Sequence, residues 1–408
     1  MFRKIFILGT SFALTILPAS AEQARQIVSY YSIADQVRKK NPDLAAARFR
    51  VEEAMGRLSQ AGRLTNPELR IEASHNQNFR ERSLTVGFSQ KFPLTDRLRL
   101  EKEVGLSDVR QAQAEIAELE RELVAEARQA VIEFLSLSRQ RSLRKEQIEL
   151  VEELGSSLQR IAAKGEISAL DVGLVKLERL QLTTELRQYD AQEKALNGVI
   201  KPLLGLPLNA PLAIGGDLEQ MTTEALPTDL NRRGDIRAAK HSIIGAGKQV
   251  ELEEARRYDD IEVGVFASAE RTEDAPEGFE TEGIVGDGVT IPFPWWNKNE
   301  GNIAEAKARV RRKQSELTAL EKAVMHKAKA ARDEMIEWAG LAREIDNTLF
   351  PAAAEQLVLA EKTYGEGQTD IQTVLRSREQ KLRLQTSRIS AVEAFHKARA
   401  NYESQLGY

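Results

Sequence analysis

The chain has 408 residues, of which 42% are hydrophobic and 29% are charged, with a formal net charge of −4 at pH 7. A mean hydropathy of −0.40 is too polar for a bundle of membrane-spanning helices, and the weakly acidic balance argues against a nucleic-acid partner. Because the sequence has no cysteine, disulfides, thiol nucleophiles, thiolate metal sites and lipid attachment to cysteine are excluded. The four histidines are scattered without metal-ligand spacing, so neither a metal site nor a cofactor is predicted.

The N-terminus predicts an export signal. Arg3 and Lys4 precede the apolar run IFILGTSFALTIL, and the following Ala-Ser-Ala at residues 19–21 has the small residues that signal peptidase requires. An anchor helix is the alternative, but the run is shorter than the roughly 20 apolar residues of a membrane span. We therefore predict that residues 1–21 are a signal peptide, and losing Arg3 and Lys4 takes the net charge from −4 to −6.

The rest of the sequence repeats itself in two copies of about 200 residues. NPDLAAARF, which contains Asp43, matches RGDIRAAKH, which contains Asp235, at an offset of 235 − 43 = 192. GFSQKFPL from Gly87 matches GVTIPFPW from Gly288 at an offset of 288 − 87 = 201. The predicted organisation is a first repeat over 22–205, a linker over 206–232 and a second repeat over 233–408.

Each copy predicts a helix, two strands, a very long helix, a short turn and a shorter returning helix. Apolar and polar residues alternate in the strands, which is typical of membrane β-strands, although a soluble sheet with one buried face would show the same pattern. The long helices are rich in Ala, Leu, Glu, Lys and Arg, as coiled coils are. The predicted strands are residues 68–76, 83–93, 261–270 and 284–294, and the predicted helical tips are residues 164–172 and 364–371.

Turn chemistry predicts how the returning helices begin. Ser168 lies three residues before Asp171, and Thr369 lies three residues before Gln372, so each pair could form a reciprocal helix cap. Glycines in both tips could supply the left-handed conformation that ends the outgoing helices. These glycines are Gly165, Gly365 and Gly367.

Four strands raise an edge problem if they lie in a bilayer. Every backbone donor and acceptor there must be satisfied within protein, so a membrane sheet has to close. The smallest closed membrane barrels have about eight strands. We therefore predict that several copies of the chain contribute to one barrel, whose wall continues into the helices.

The chain resembles TolC-type outer-membrane efflux proteins. The resemblance is carried by the signal, the two-copy plan, NPDL and NPEL near the start, GEISALDV at the first tip and GVTIPFPWWNKNEGNIAEA at the second strand-to-helix junction. This junction is most similar to the heavy-metal efflux branch of the cobalt/zinc/cadmium type. The resemblance implies a mainly α fold with membrane β: a homotrimer whose twelve-stranded β-barrel, four strands from each chain, continues into a periplasmic α-helical tunnel.

The resemblance also implies roles for tip residues. Tyr364 and Asp370 match positions that hold and line the closed periplasmic entrance, although Asp370 could equally serve the helix dipole. A second family aspartate is Thr373 in this chain, so a double acidic ring is not predicted. Other tip residues match positions that meet the adaptor, and capping or turn geometry is the alternative for them. They are Gly165, Ser168, Asp171, Gly365 and Thr369.

Residues around the strands suggest a lumen and a membrane interface. Trp295 and Trp296 follow the fourth strand, where they could anchor at the interface or pack at the barrel-to-tunnel junction. The segment 270–282 is predicted to be an acidic outward-facing loop, which could influence exiting cations or simply be solvated. Polar-face residues predicted to line the lumen are Arg70, Glu72, Ser74, Glu262 and Ser268.

The sequence therefore predicts a passive export duct in the outer membrane of a Gram-negative bacterium. Its implied partners are a periplasmic adaptor, an inner-membrane pump of the RND type and outer-membrane lipid, with metal cations as the exported substrate. Type I secretion or organic-compound efflux is the alternative within this class. A soluble periplasmic coiled-coil adaptor is the alternative from another class, but it has no reason to carry four membrane-length strands. No convergent set of catalytic groups predicts an enzyme.

Overall fold

The computed structural model describes residues 26–408 apart from Glu166, Glu219 and Ala275. The predicted signal peptide, residues 1–21, and the first residues of the predicted first repeat lie outside the described residues. The elements in chain order are β1 (Gln26–Val28), α1 (Ile33–Lys40), α2 (Pro42–Gln60), β2 (Glu68–His75), β3 (Arg82–Phe92), α3 (Arg97–Ala162), α4 (Ala169–Leu203), β4 (Leu212–Ile214), α5 (Gly234–Ala255), β5 (Ile261–Asp274), β6 (Gly278–Thr290), α6 (Glu300–Glu344), α7 (Phe350–Gly365) and α8 (Ile371–Gln405).

The elements follow the same order twice. In each half a helix leads into a β-hairpin, which leads into a long outgoing helix and a returning helix. The outgoing α3 has 66 residues and is therefore about 100 Å long. Its counterpart is divided into α6 and α7 by a π-helical turn at Ile345–Leu349, which ends two residues before Pro351. Proline lacks a backbone donor and cannot continue a regular ladder, which accounts for the break at this point.

The two hairpins form one four-stranded antiparallel sheet in the order β2-β3-β5-β6. The strands β5 and β6 are longer than the alternating pattern indicates, because the ladder continues to the pair Asp274 and Gly278. The segment 270–282, predicted to be a loop, is thus mostly strand, with a turn at Pro276 and Glu277. Charged residues conceal this extension in the sequence, since an exposed hairpin needs no apolar face.

A second, smaller sheet pairs β1 with β4 in parallel. It joins the start of the described chain to the linker between the repeats. Each of its strands has three residues, which is too short for an alternating pattern to predict.

Buried apolar residues lie in separate clusters along the length of the helices. One cluster joins α1, α3 and the end of α4, and includes Ile33, Val131 and Ile200. Another joins the two helical tips, and includes Val175 and Ile371. This distribution is that of an elongated helical structure in which each level has its own core. No helix within the described ranges is both long enough and apolar enough to cross a bilayer.

Each repeat has its own clasp, which ties its first helix to the end of its returning helix. In the first repeat the buried Asn41 caps α2 by accepting from the Leu44 N–H at 2.9 Å and donates to the Leu203 carbonyl at 3.0 Å. In the second repeat the buried Arg233 donates to the Gln405 carbonyl at 3.0 Å and to the Asp235 carboxylate at 2.6 Å. Different side chains thus close the same loop in the two halves.

Candidate functional site

The strand register assigns the predicted lumen residues to one face of the four-stranded sheet. Arg70 lies opposite Gly87 and Glu72 lies opposite Thr85, and Thr85 in turn lies opposite Ser268. On this face Thr85 donates to the Ser268 hydroxyl at 3.0 Å. The full predicted set on this face is Arg70, Glu72, Ser74, Glu262 and Ser268. Their common face follows directly from the period-two pattern, and their exposure to a lumen stays a prediction.

The opposite face of the sheet is apolar and exposed. Leu69 is 66% exposed, Ile71 is 64% exposed and Val285 is 84% exposed. Apolar side chains in such a row would be buried in a soluble sheet, because leaving them in water costs about 25 cal/mol for each Å². Between Val285 and Val289 the pattern is typical of a lipid-facing surface that Asp287 interrupts.

An aromatic residue on the polar face escaped the sequence analysis. Phe266 lies opposite Gly286 and next to Gly87 in the register, among the predicted lumen residues. A Cβ atom added to Gly286 would come within 2.6 Å of the Phe266 ring. The ring therefore occupies the space that a side chain at position 286 would need. The signal that could have revealed this pair is the spacing of glycines in β6 opposite a single aromatic in β5.

Trp295 and Trp296 lie beyond the end of β6, as predicted. Trp295 is 75% exposed and Trp296 is 95% exposed, and their ring centroids are 6.4 Å apart. Their exposure in the single chain does not favour packing within the chain at the junction. Tryptophan in this position is typical of a membrane interface.

The second tip is capped differently from the prediction. The residue at the N-cap of α8 is Asp370, whose carboxylate accepts from the Thr373 N–H at 2.9 Å and from the Thr373 hydroxyl at 2.7 Å. The predicted cap between Thr369 and Gln372 is thus wrong by one residue, because aspartate is the stronger acceptor at this position. These hydrogen bonds hold the pKa of Asp370 below its usual range. Asp370 is therefore a carboxylate at neutral pH, and it caps the helix whatever else it does.

Glycine supplies the left-handed turn in both tips, but not at every predicted position. Gly165 has φ of 79° and Gly367 has φ of 72°. Gly365 is instead the last residue of α7 and is helical, so the prediction of a left-handed Gly365 is wrong. The turn needs one left-handed residue, and Gly367 provides it two residues later.

The first tip forms only half of its predicted reciprocal cap. Ser168 is the N-cap of α4, and its hydroxyl accepts from the Leu170 N–H at 3.1 Å. The Asp171 N–H donates to the Ser168 carbonyl at 3.1 Å. Asp171 thus contributes an acidic residue to the first turn, which favours the positive end of the helix dipole.

The two tips lie side by side. Tyr364 packs on the cluster that contains Val175 and Ile371, and so joins the outgoing helix of one repeat to the returning helices of both. Burial raises the pKa of the Tyr364 hydroxyl, and the negative charge of Asp171 raises it further. The structure thus brings the predicted gate residue Tyr364 near the predicted docking residue Asp171, which sequence spacing alone could not show.

The comparisons with known proteins agree with this arrangement. Residues 33–201 match the family model described as outer membrane efflux protein. The cobalt-zinc-cadmium resistance protein CzcC of Cupriavidus metallidurans is 22% identical over 331 residues, which cover 77% of this chain and 74% of CzcC.

Solved structures match nearly the whole chain. A membrane protein from Pseudomonas aeruginosa has a TM-score of 0.76 at 16% identity, covering 93% of this chain and 92% of that one. CusC, solved in a study of folding and transmembrane channel formation, has a TM-score of 0.75 at 16% identity with the same coverage, 93% and 92%. VceC of Vibrio cholerae has a TM-score of 0.72 at 17% identity, covering 93% and 96%. These similarities establish the fold, and residues 33–201 are similar in sequence to the outer membrane efflux protein family.

Proposed function

We propose that three copies of this chain form a passive duct through the outer membrane, which carries substrates delivered by an inner-membrane pump of the RND type through a periplasmic adaptor. The observation that carries this proposal is the four-stranded sheet, with its exposed apolar face, its polar face and its two unpaired edges. Such a sheet is stable in lipid only if it closes.

The topology of the sheet permits closure between copies. Because all neighbouring strands are antiparallel and the sheet has four of them, the two edge strands β2 and β6 run in opposite directions. The β6 edge of one copy can therefore pair with the β2 edge of the next in the same antiparallel pattern. Three copies give a barrel of twelve strands, an even number as bacterial outer-membrane barrels require.

At the other end, Asp370 and Tyr364 form the proposed periplasmic gate. Three copies of the Asp370 carboxylate around one axis would favour cations and repel anions in a narrow opening. The tips as a whole, including Gly165, Ser168 and Thr369, are the proposed surface for the adaptor. Both tips are exposed ends of long helical pairs, which suits a partner that binds end-on.

Metal cations are the substrate that we favour. The support is the similarity to CzcC, a cobalt-zinc-cadmium resistance protein, together with the proposed carboxylate ring. Organic-compound efflux or type I secretion is the competing function for the same duct, since a passive channel takes its cargo from its pump.

Two measurements on the purified mature protein test the proposed duct. Native mass spectrometry gives the number of chains in the oligomer, and single-channel recording gives its conductance. We expect a three-chain oligomer that forms cation-selective channels in a planar bilayer. A protein that stays soluble and never inserts would overturn the proposal and favour a periplasmic adaptor.

The gate is tested by comparing Asp370→Asn with Asp370→Ala. Asparagine is a good helix cap but carries no charge, so it separates the two roles of this residue. A gate carboxylate predicts that both variants lose cation selectivity. If only the alanine variant changes the current, Asp370 acts as a cap and the charged ring is wrong.

The substrate is tested in cells that lack the chain but keep its pump and adaptor. Resistance to cobalt, zinc and cadmium salts should fall and should return with the wild-type chain. Loss of resistance to organic compounds alone would assign the duct to the competing function.

A further inference from the structure

A row of basic residues crosses the apolar face of the sheet near its outer end. His75 in β2 lies opposite Arg82 in β3, and Arg82 lies opposite Arg271 in β5. Period-two alternation places all three on the same face as Leu84 and Ala269, which belong to the exposed apolar surface. Neighbouring strands are about 4.8 Å apart, so the row spans roughly 10 Å of the sheet.

The two arginines are directly opposite each other and have no carboxylate partner within the described part of the chain. Like charges in opposed positions destabilise a sheet. The nearby Glu270 and Glu282 are opposite each other on the other face, and Glu273 shares the face of Arg271 without forming an ion pair with it. The repulsion between the arginines would be relieved by an anion bound from outside.

Aromatic rings support both ends of the row. The Arg271 guanidinium lies over the Phe279 ring at 5.1 Å, and the His75 ring stacks on the Phe79 ring with centroids 3.8 Å apart. Phe79 is 65% exposed and adopts a left-handed backbone conformation, with φ of 54°. These contacts hold cationic and aromatic groups together at the rim of the apolar face.

The depth of the row matches the outer surface of a membrane. From Arg271 down to Ile261 there are 271 − 261 = 10 residue steps in β5, or about 33 Å of strand, which gives roughly 25 Å of height at a tilt of about 40°. This is the height of the apolar band of an outer-membrane barrel. Trp295 and Trp296 lie past the opposite end of the sheet, so the basic row is at the level of the outer-leaflet headgroups.

We propose that Arg82 and Arg271, extended by His75, bind the phosphate groups of an anionic glycolipid in the outer leaflet. The inference rests on the proposed function, because it requires the apolar face to contact lipid. A phosphorylated sugar suits the site, since guanidinium groups bind phosphate through paired hydrogen bonds and the aromatic rings can pack against a sugar face. Three copies would provide three such sites around the barrel.

Native mass spectrometry of the purified mature oligomer tests the proposal, with bisphosphorylated lipid A and enzymatically dephosphorylated lipid A as probes. The test variant is Arg82→Gln with Arg271→Gln. The matched control is Arg70→Gln with Lys91→Gln, which removes two positive charges from the opposite face of the same sheet. We expect the test variant to bind bisphosphorylated lipid A about tenfold more weakly or worse, and the control to bind it as the wild type does.

Each remaining outcome is decisive. The proposal would be overturned if the wild type bound the two forms of lipid A equally. It would also be overturned if the test variant and the control bound bisphosphorylated lipid A equally. Inorganic phosphate that binds as tightly as the lipid would indicate a free-phosphate site and contradict it. If the double variant fails to assemble, Arg82→Gln alone, which leaves Arg271 in place, should show a smaller loss of affinity for bisphosphorylated lipid A. Conductance measured on the same preparation separates the lipid-binding proposal from the proposed duct. Channels that conduct but do not distinguish the two forms of lipid A would contradict only the lipid-binding proposal. A wild-type protein that never inserts into the bilayer would contradict both.

Discussion

The two repeats have the same order of elements but hold it with different chemistry. The first repeat has an unbroken outgoing helix, an asparagine clasp and a serine cap, whereas the second has a π-helical break, an arginine clasp and an aspartate cap. The order of elements is thus shared, whereas the clasp and the tip cap use neutral side chains in the first repeat and charged side chains in the second. A duplicated fold thus constrains which backbone groups must form hydrogen bonds and leaves open which side chains form them.

Breaking the arginine clasp should have the largest effect. Arg233 is only 5% exposed, and Arg233→Ala removes the guanidinium that donates to the Asp235 carboxylate and the Gln405 carbonyl. We therefore expect a loss of about 3–5 kcal/mol in the free energy of unfolding. Guanidinium titration in detergent measures it. Arg232→Ala is the matched control, because Arg232 stacks on the Tyr408 ring at 4.2 Å and should lose under about 1 kcal/mol. Equal losses would contradict the clasp.

The same clasp should depend on pH. Burial alone would raise the pKa of Asp235. The hydrogen bonds and the positive charge of Arg233 have a larger effect and hold the pKa of Asp235 below its usual range. A lowered folded pKa contributes stability above the unfolded pKa, near 3.9, which is lost as pH falls through the folded value. The difference in the free energy of unfolding between wild type and Arg233→Ala should therefore become smaller in strong acid. A difference that does not change with pH would contradict the ion pair between Arg233 and Asp235.

Breaking the asparagine clasp should cost less. Asn41→Ala removes a helix cap and a hydrogen bond to the Leu203 carbonyl, both between neutral groups, so we expect a loss of about 2 kcal/mol. The same titration measures it. A loss as large as that of Arg233→Ala would show that charge is irrelevant to the difference between the repeats.

Removing the serine cap should have a smaller, local effect. Ser168→Ala deletes one acceptor for the Leu170 N–H at an exposed helix end, worth about 1 kcal/mol. Amide hydrogen exchange should become faster in the first turn of α4 and stay unchanged in α8, whose cap is Asp370. Faster exchange in both tips would mean that the caps are not independent.

A substitution between the returning helices should give the smallest change, and a favourable one. Burial raises the pKa of Glu178 in α4, and the negative charges of Glu379 in α8 and of Glu185 raise it further. A raised folded pKa gives stability that is present at low pH and lost as pH rises through the folded value. Glu178→Gln should therefore raise the melting temperature slightly at pH 7 and leave it unchanged near pH 4. A lower melting temperature of Glu178→Gln than of the wild type at pH 7 would contradict repulsion between Glu178 and Glu379.

Much of the fold could be predicted from the sequence because its signals are periodic. Alternation located β2 and β3, and the long proline-free stretch located α3. The short β1 and β4 could not be predicted, since three residues carry no period, and the ends of β5 and β6 could not be predicted because charged residues replace the alternating pattern there.

The candidate site was less predictable. The common face of Arg70 and Glu72 follows from spacing, but the cap at Asp370 was misplaced by one residue, since the competing acceptors Thr369 and Asp370 are adjacent. The approach of Tyr364 to Asp171 depends on tertiary packing between repeats. The match of residues 33–201 to the outer membrane efflux protein model agrees with the predicted localisation in the outer membrane.

The most direct test of the central claim is which face of the sheet lines the conducting path. The chain has no cysteine, so Thr85→Cys on the polar face and Val86→Cys on the apolar face each introduce a single reactive thiol, on adjacent residues of β3. A charged, membrane-impermeant thiol reagent should reduce single-channel current through Thr85→Cys and leave Val86→Cys unchanged. If the reagent instead reduced the current through Val86→Cys and left the current through Thr85→Cys unchanged, the polar face would not line the lumen. That result would contradict the proposed duct.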